Sequence, residues 1–112
     1  MSLCLVVALT LWASGATAQT EFIGSYTWNE PVEHFGGFSG IEVFDGGTKM
    51  IAISDRSWIA EADIVRDGGR ITGVTNFRFD TIKNPSGEQM PRLWDDSEGL
   101  ARAEDGTLYI SF

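Results

Sequence analysis

The chain has 112 residues, 43% of them hydrophobic and 21% charged, with sixteen acidic residues against eight basic ones and a formal charge of −8. That length holds one domain at most. An ordinary apolar fraction carrying four Trp and seven Phe excludes a collagen-like or strongly disordered chain. The acidic balance excludes nucleic acid as a partner, because nothing here would neutralise a phosphate backbone, and it leaves room for a cation or a cationic ligand.

In chain order, Leu3 to Trp12 form an apolar run that ends in small residues and Ala16-Thr17-Ala18. This is the pattern of a secretory signal peptide over residues 1–18, with cleavage after Ala18 and export to the periplasm or the medium. The run is too short to span a membrane, which takes roughly 20 apolar residues. The alternative is a buried N-terminal strand or helix. Cleavage would remove Cys4, the only cysteine, so the mature part, residues 19–112, would have neither disulfide nor thiol chemistry.

Three Asp-Gly turn signals punctuate that part: Asp45-Gly46-Gly47-Thr48, Asp67-Gly68-Gly69-Arg70 and Glu104-Asp105-Gly106-Thr107. Such dipeptides supply the positive-φ positions of hairpin turns. They predict three antiparallel pairs: Ile41–Phe44 with Lys49–Ser54, Ile59–Val65 with Ile71–Phe79, and Leu100–Ala103 with Leu108–Phe112. Residues 76–80 alternate polar and apolar, the period of a half-buried strand, and no segment shows a helical period.

The stretch Gly40 to Ser54 is echoed by Gly99 to Ser111, with Thr48 and Thr107 59 residues apart. Four strands per interval of that size is the unit of a β-propeller blade. The fold class expected is therefore all-β, with antiparallel four-stranded blades forming the N-terminal portion of a propeller. The sequence reads as truncated, since it holds about one and a half blades and ends in mid-strand. A small sandwich is the alternative. Residues 80–97 form a long connection, a length that usually carries function, and Leu93 and Trp94 suggest that it packs against something.

The candidate chemistry is rich in carboxylates. Asp95, Asp96 and Glu98 lie just before Gly99, and carboxylate oxygens suit Ca²⁺ or Mg²⁺, although the spacing is not that of an EF-hand. Glu98 stands out because it sits where loop becomes strand. Asp55-Arg56 ends an apolar strand, where the guanidinium fork would anchor an anionic or carbonyl group, or form an internal salt bridge. Glu42, inside the strand at 41–44, faces solvent or helps to hold a cation. Gly37-Phe38-Ser39-Gly40-Ile41 fails the G-x-S-x-G nucleophile elbow, since its second Gly comes one residue early. There is no P-loop and no G-x-G-x-x-G. His34, the only histidine, excludes a histidine-rich zinc site and is close to Ser39 in sequence alone. Trp58 and Trp94 suit packing more than a ligand platform.

Three stretches carry a family resemblance: Phe35-Gly36-Gly37-Phe38-Ser39-Gly40-Ile41-Glu42, Ala52-Ile53-Ser54-Asp55-Arg56, and Asp96-Ser97-Glu98-Gly99-Leu100-Ala101 followed by Asp105-Gly106-Thr107-Leu108-Tyr109-Ile110-Ser111. In this order and spacing they resemble the phytase-like family with esterase-like activity, exported bacterial proteins, over about residues 35–112. The resemblance implies a propeller-like domain and hydrolysis of phosphoester or carboxylic ester bonds in a small-molecule substrate. Ser39, Asp55, Arg56 and Glu98 match its motif positions, and Ca²⁺ is the cofactor implied by analogy with propeller phytases.

Two function classes remain. In a metal-assisted ester hydrolase, Glu42, Asp55, Asp96 and Glu98 would hold the cation, Glu98 would be indispensable to activity, and Arg56 would steady the substrate. In a noncatalytic binding propeller the carboxylates would be scattered. A calcium-dependent lactonase is a related enzyme reading that needs further Asn and Asp ligands.

Overall fold

Strand β2 (Lys49–Ser54) explains much of the architecture, since Met50 to Ser54 are all buried. A strand covered on both faces reads as a continuous apolar run, not as an alternation. In this computed structural model, which describes residues 19–112, β2 lies between β1 (Phe38–Phe44) and β3 (Trp58–Asp67), and β4 (Arg70–Thr81) completes an antiparallel meander in the order β1-β2-β3-β4. The signal-peptide reading of residues 1–18 falls outside the described residues. A second, separate hairpin pairs β5 (Gly99–Arg102) with β6 (Leu108–Ser111). Among the described residues the only helical element is the short 3₁₀ turn Asp45–Gly47, and no helix is long and apolar enough to cross a membrane.

All three expected strand pairs form; Lys49–Ser54 keeps its expected bounds, and the other strands differ at one or both ends by one to three residues. The β3–β4 turn uses Gly68 at φ 53° and Gly69 at φ 84°, the two positive values that a tight hairpin requires. Between the pairs Glu61–Arg78 and Asp63–Thr75, β4 holds one extra residue, and Asn76 takes φ 52° there. Asparagine tolerates that region better than most side chains, so the bulge resets the register without glycine. The alternation at 76–80 survives, with Phe77 and Phe79 half-buried.

One sheet face is packed by Met50, Ala62 and Ile64, against which lie Trp28, Ile71 and Val74. The segment before β1 is fastened to the same side by aromatic rings. Trp28 stacks on Phe38 at 5.3 Å, and Phe35 meets Trp28 edge-on at 4.9 Å. A second set forms a ladder, His34 on Trp58 (5.2 Å), Trp58 on Phe79 (4.8 Å) and Phe79 on Phe77 (5.8 Å). Each such pair contributes about 0.5–1.5 kcal/mol beyond its area. Trp58 therefore stacks with two rings and is a packing residue.

The second hairpin meets the sheet at its edge strand. Gly40 of β1 and Leu100 of β5 approach so closely that a Cβ on residue 40 would lie 2.9 Å from the Leu100 Cβ and 3.1 Å from its amide nitrogen. Four residues further along β1 and two along β5, the Arg102 guanidinium sits 4.2 Å above the centre of the Phe44 ring. A four-stranded antiparallel meander whose first strand is met by a strand of a second sheet is a blade-like arrangement. The chain is all-β and blade-like, as the repeat predicts. The packing expected of Leu93 and Trp94 is not seen among the described residues, where they are 92% and 65% exposed.

Candidate functional site

Three loops meet at one end of the sheet: residues 34–37 before β1, the β2–β3 turn at 54–57, and the connection that leads to β5. Serines join them. The Ser97 hydroxyl, fully buried, donates to the Ser54 carbonyl in a short hydrogen bond. The Ser39 hydroxyl donates to the Ser97 carbonyl at 2.5 Å, and that of Ser57 to the Asp95 carbonyl at 2.8 Å. Ser54 Oγ accepts from the amides of Arg56 (3.3 Å) and Trp58 (3.2 Å), which shapes the turn in which Ser57 takes φ 57°. The hydroxyl of Ser39 is thus committed to holding the connection, and His34 stacks on Trp58 instead of pairing with it. None of these buried side-chain polar atoms lacks a partner among the described residues.

The charged neighbours of these serines are left outside. Asp55 and Arg56 are exposed at the tip of the turn, while Ser54 and Ser57 are buried. The amide of Asp55 donates to the Gly37 carbonyl at 2.8 Å. Its carboxylate lies over Gly37, where a Cβ would be 2.6 Å from Oδ1. Gly37 has φ 62°, so both its backbone and the space beside it require glycine.

Two adjoining clefts open here and share His34 and Arg56. The smaller, about 220 Å³, is lined by Phe35, Gly36, Gly37, Ser54 and Asp55 as well. The larger, about 400 Å³, adds Trp58, Gln89, Arg92 and Asp95. The arrangement presents a carboxylate and a guanidinium, fixed in a tight turn, to a cavity open to small molecules.

The other sequence-predicted site residues are placed elsewhere. Glu42 is half-buried on β1, opposite Ile51 of β2. Asp96 and Glu98 are exposed, the Glu98 amide donates to the Ser111 carbonyl at 2.9 Å, and neither carboxylate lines the two clefts. Among the described residues no three His, Cys, Asp or Glu side chains come together as a metal-holding group, so Glu42, Asp55, Asp96 and Glu98 do not form a cation site by themselves. The structure brings in His34, which the sequence singled out only as the lone histidine near Ser39, and adds Gln89 and Arg92, for which the sequence offered no signal beyond the length of the connection.

A larger cavity, about 560 Å³, lies between β2–β4 and the second hairpin. Its charges are spent on one another: Lys49 donates to Asp63 (2.8 Å), Asn76 to Asp63 (2.6 Å) and Arg78 to Glu61 (2.5 Å). These bonds, first from Lys49 and then from Asn76, hold the Asp63 carboxyl below the usual carboxylate range, and the Asp63 hydrogen bond raises Lys49.

A family model described as phytase-like, esterase-like activity of phytase, matches residues 33–112. The chain belongs to the phytase-like family. The matched region begins at the cleft loop and contains every strand. No curated protein and no solved structure matches the chain. All three stretches of the family pattern contribute to the site: Gly36-Gly37 and Ser39 from the first, Ser54-Asp55-Arg56 from the second, and Ser97 from the third.

Proposed function

We propose that this phytase-like protein is an exported hydrolase of phosphoester or carboxylic ester bonds, with its reacting group bound in the cleft beside Asp55 and Arg56. The observation that carries this reading is the division of labour within the family's own motif. The serine hydroxyls are bonded within the fold, whereas the adjacent Asp55 and Arg56 are carried on a hydrogen-bonded turn with exposed side chains that line the clefts.

In such a site the Asp55 carboxylate accepts the proton of an attacking water, and the water oxygen bonds to the ester carbon or phosphorus. The charge that builds on the substrate oxygen is met by the Arg56 guanidinium. Asp55 then returns the proton to the departing alcohol, so ester and water become acid and alcohol. Ca²⁺ remains part of the proposal only with ligands beyond those described, and Asp96 and Glu98 are the carboxylates available to join them.

The test is hydrolysis of a short-chain aryl ester and an aryl phosphate by the full chain and by Asp55→Asn, Arg56→Gln and Glu98→Gln, with calorimetric Ca²⁺ titration alongside. Turnover that falls at least a hundredfold in Asp55→Asn, with the fold intact, supports the reading. Turnover unaffected by Asp55→Asn and Arg56→Gln refutes this placement of the site. The scatter of Glu42, Asp96 and Glu98 favours a second reading, a noncatalytic binding module, and absent turnover of both substrates would select it.

A further inference from the structure

β4 is the longest strand, and it lies at the sheet edge with β3 on one side only. Its last residues are in regular register with β3, from Glu61–Arg78 to Trp58–Thr81, and the Ile82 amide extends the ladder by donating to the Ser57 carbonyl at 2.7 Å. Antiparallel pairs alternate between bonded and non-bonded, so the amides of Asp80 and Arg78 also turn toward β3. The amides of Phe79 and Thr81 and the carbonyls of Phe77, Phe79 and Thr81 turn outward. The Thr81 amide is met there by the Asp80 carboxylate at 2.7 Å. The Phe79 amide has no such cap among the described residues. The bulge at Asn76 interrupts the edge, so residues 77–81 are its regular stretch.

The same stretch alternates ring and charge. Phe77 and Phe79 lie on the face that carries Trp58, and Arg78 and Asp80 lie on the opposite one. An open concavity of about 500 Å³ lies beside Ile59, Glu61, Arg78, Phe79 and Asp80. We propose that this edge pairs antiparallel with the same edge of a second copy of the chain, about a two-fold axis at Phe79. In that register the two Phe79 residues exchange amide–carbonyl bonds, and each Thr81 amide reaches the partner's Phe77 carbonyl. Arg78 stands opposite the partner's Asp80, and Asp80 opposite the partner's Arg78, so the contact is self-complementary in charge. Centring the pair one residue either way sets Arg78 against Arg78 or Asp80 against Asp80, which disfavours those registers. Arg78 keeps Glu61 on its β3 side, where the two are 2.5 Å apart, so charges alternate across three neighbouring strands. On the other face the ladder His34–Trp58–Phe79 meets its own copy. The Asp80 carboxylate that caps the free edge becomes a cross-strand ion-pair partner in the dimer. The paired stretch is short, so the dimer is reversible and depends on concentration. The proposal is independent of what the clefts bind.

The experiment measures the mass of the full chain by sedimentation over about a hundredfold range of concentration, with amide exchange followed by NMR on the same samples. The mass is expected to rise from monomer toward dimer. The Phe79 amide is expected to exchange at least about tenfold more slowly in the dimer, while those of Arg78 and Asp80, bonded to β3 in either state, change little. Arg78→Asp leaves acids at both charged positions of the stretch, and Asp80→Arg leaves bases at both. Each variant alone sets like charges opposite one another and should weaken self-association about tenfold or more. Mixed in equal amounts, the two variants should form a heterodimer, because the acids of one meet the bases of the other. A variant that had lost its fold could not give that recovery. A chain that stays monomeric throughout, a dimer whose Phe79 amide exchanges as in the monomer, self-association indifferent to both variants, or no recovery on mixing overturns the proposal.

Discussion

Gly37→Ala tests the contact on which the candidate site depends. A non-glycine residue at φ 62° costs about 1–2 kcal/mol in the backbone alone. The new methyl would lie 2.6 Å from Asp55 Oδ1 and 3.1 Å from its Cγ, so the carboxylate has to move. The Asp55 backbone cannot follow, because its amide is held by the Gly37 carbonyl at 2.8 Å. The side chain must instead rotate away, at about 0.5–1.5 kcal/mol for a strained rotamer. The total is about 1.5–3.5 kcal/mol, or roughly 6–28 °C in melting temperature at about 4–8 °C per kcal/mol for a domain of 60–100 residues. The assay is urea unfolding of a double-mutant cycle with Asp55→Ala. Removing the carboxylate should return about 0.5–1.5 kcal/mol to Gly37→Ala and leave the backbone share in place. Gly36→Ala, whose Cβ would meet nothing within 4 Å, should show no coupling to Asp55→Ala. Turnover, where present, should fall in Gly37→Ala as far as in Asp55→Asn, because the carboxylate is displaced in one and neutralised in the other. A coupling energy of zero between residues 37 and 55 would refute the reasoning.

Gly40→Ala should destabilise by about 1–3 kcal/mol in thermal unfolding, because its Cβ would press on the backbone and Cβ of Leu100 and on Ile53, none of which is a flexible tip. Leu100→Ala should recover part of that loss. Ser97→Ala removes the donor to the Ser54 carbonyl, which keeps the Ser57 amide at 3.2 Å, so urea unfolding should register only about 0.5–1.5 kcal/mol. The Asp63 carboxyl is depressed, so its contribution to stability is complete above the unfolded carboxylate value and is lost as pH falls through the lower folded value. Lys49 is raised, so its contribution is complete below the unfolded lysine value and is lost as pH rises through the folded one. Lys49→Met should move the Asp63 titration, followed by carboxyl NMR, back toward the ordinary range.

The β1–β2, β3–β4 and β5–β6 hairpins were legible because each announces itself twice, by an Asp-Gly turn and by the apolar run on either side, whereas the β2–β3 turn at Asp55-Arg56-Ser57 carries no such signal. The bulge at Asn76 was not legible, since one extra residue leaves the alternation of 77–80 untouched. The candidate site was half legible. Asp55-Arg56 stands out as a charged pair at the end of an apolar strand, and the structure places it at the cleft. Arg92 and Gln89 lie in a stretch with no period and no turn signature beyond Asn84-Pro85-Ser86-Gly87. Only the tertiary ties at Ser57 and Ser97 bring that stretch to the cleft, and a bond between residues 38 or 43 positions apart leaves no local trace. Glu98 stood out by its place where loop becomes strand and Glu42 as a carboxylate inside an apolar strand, but side-chain direction, not position, decides what a carboxylate can reach.

The serines make the same point from the other side. A motif that reads Ser-Gly, then Ser-Asp-Arg, then Ser-Glu-Gly invites a nucleophile at each serine. Yet Ser54 and Ser97 are at 1% and 0% exposure, and each hydroxyl is engaged with backbone. A buried hydroxyl that loses its partner costs about 1–3 kcal/mol, so in Ser54, Ser57 and Ser97 the pattern records the joints between the 54–57 turn and the connection, with the exposed Ser39 of β1 adding a further tie to the Ser97 carbonyl. Those joints bring the 34–37 loop, the 54–57 turn and the connection to one place. What the fold leaves free at that place is charge, Asp55, Arg56 and Arg92, and there the chemistry of the site has to be sought.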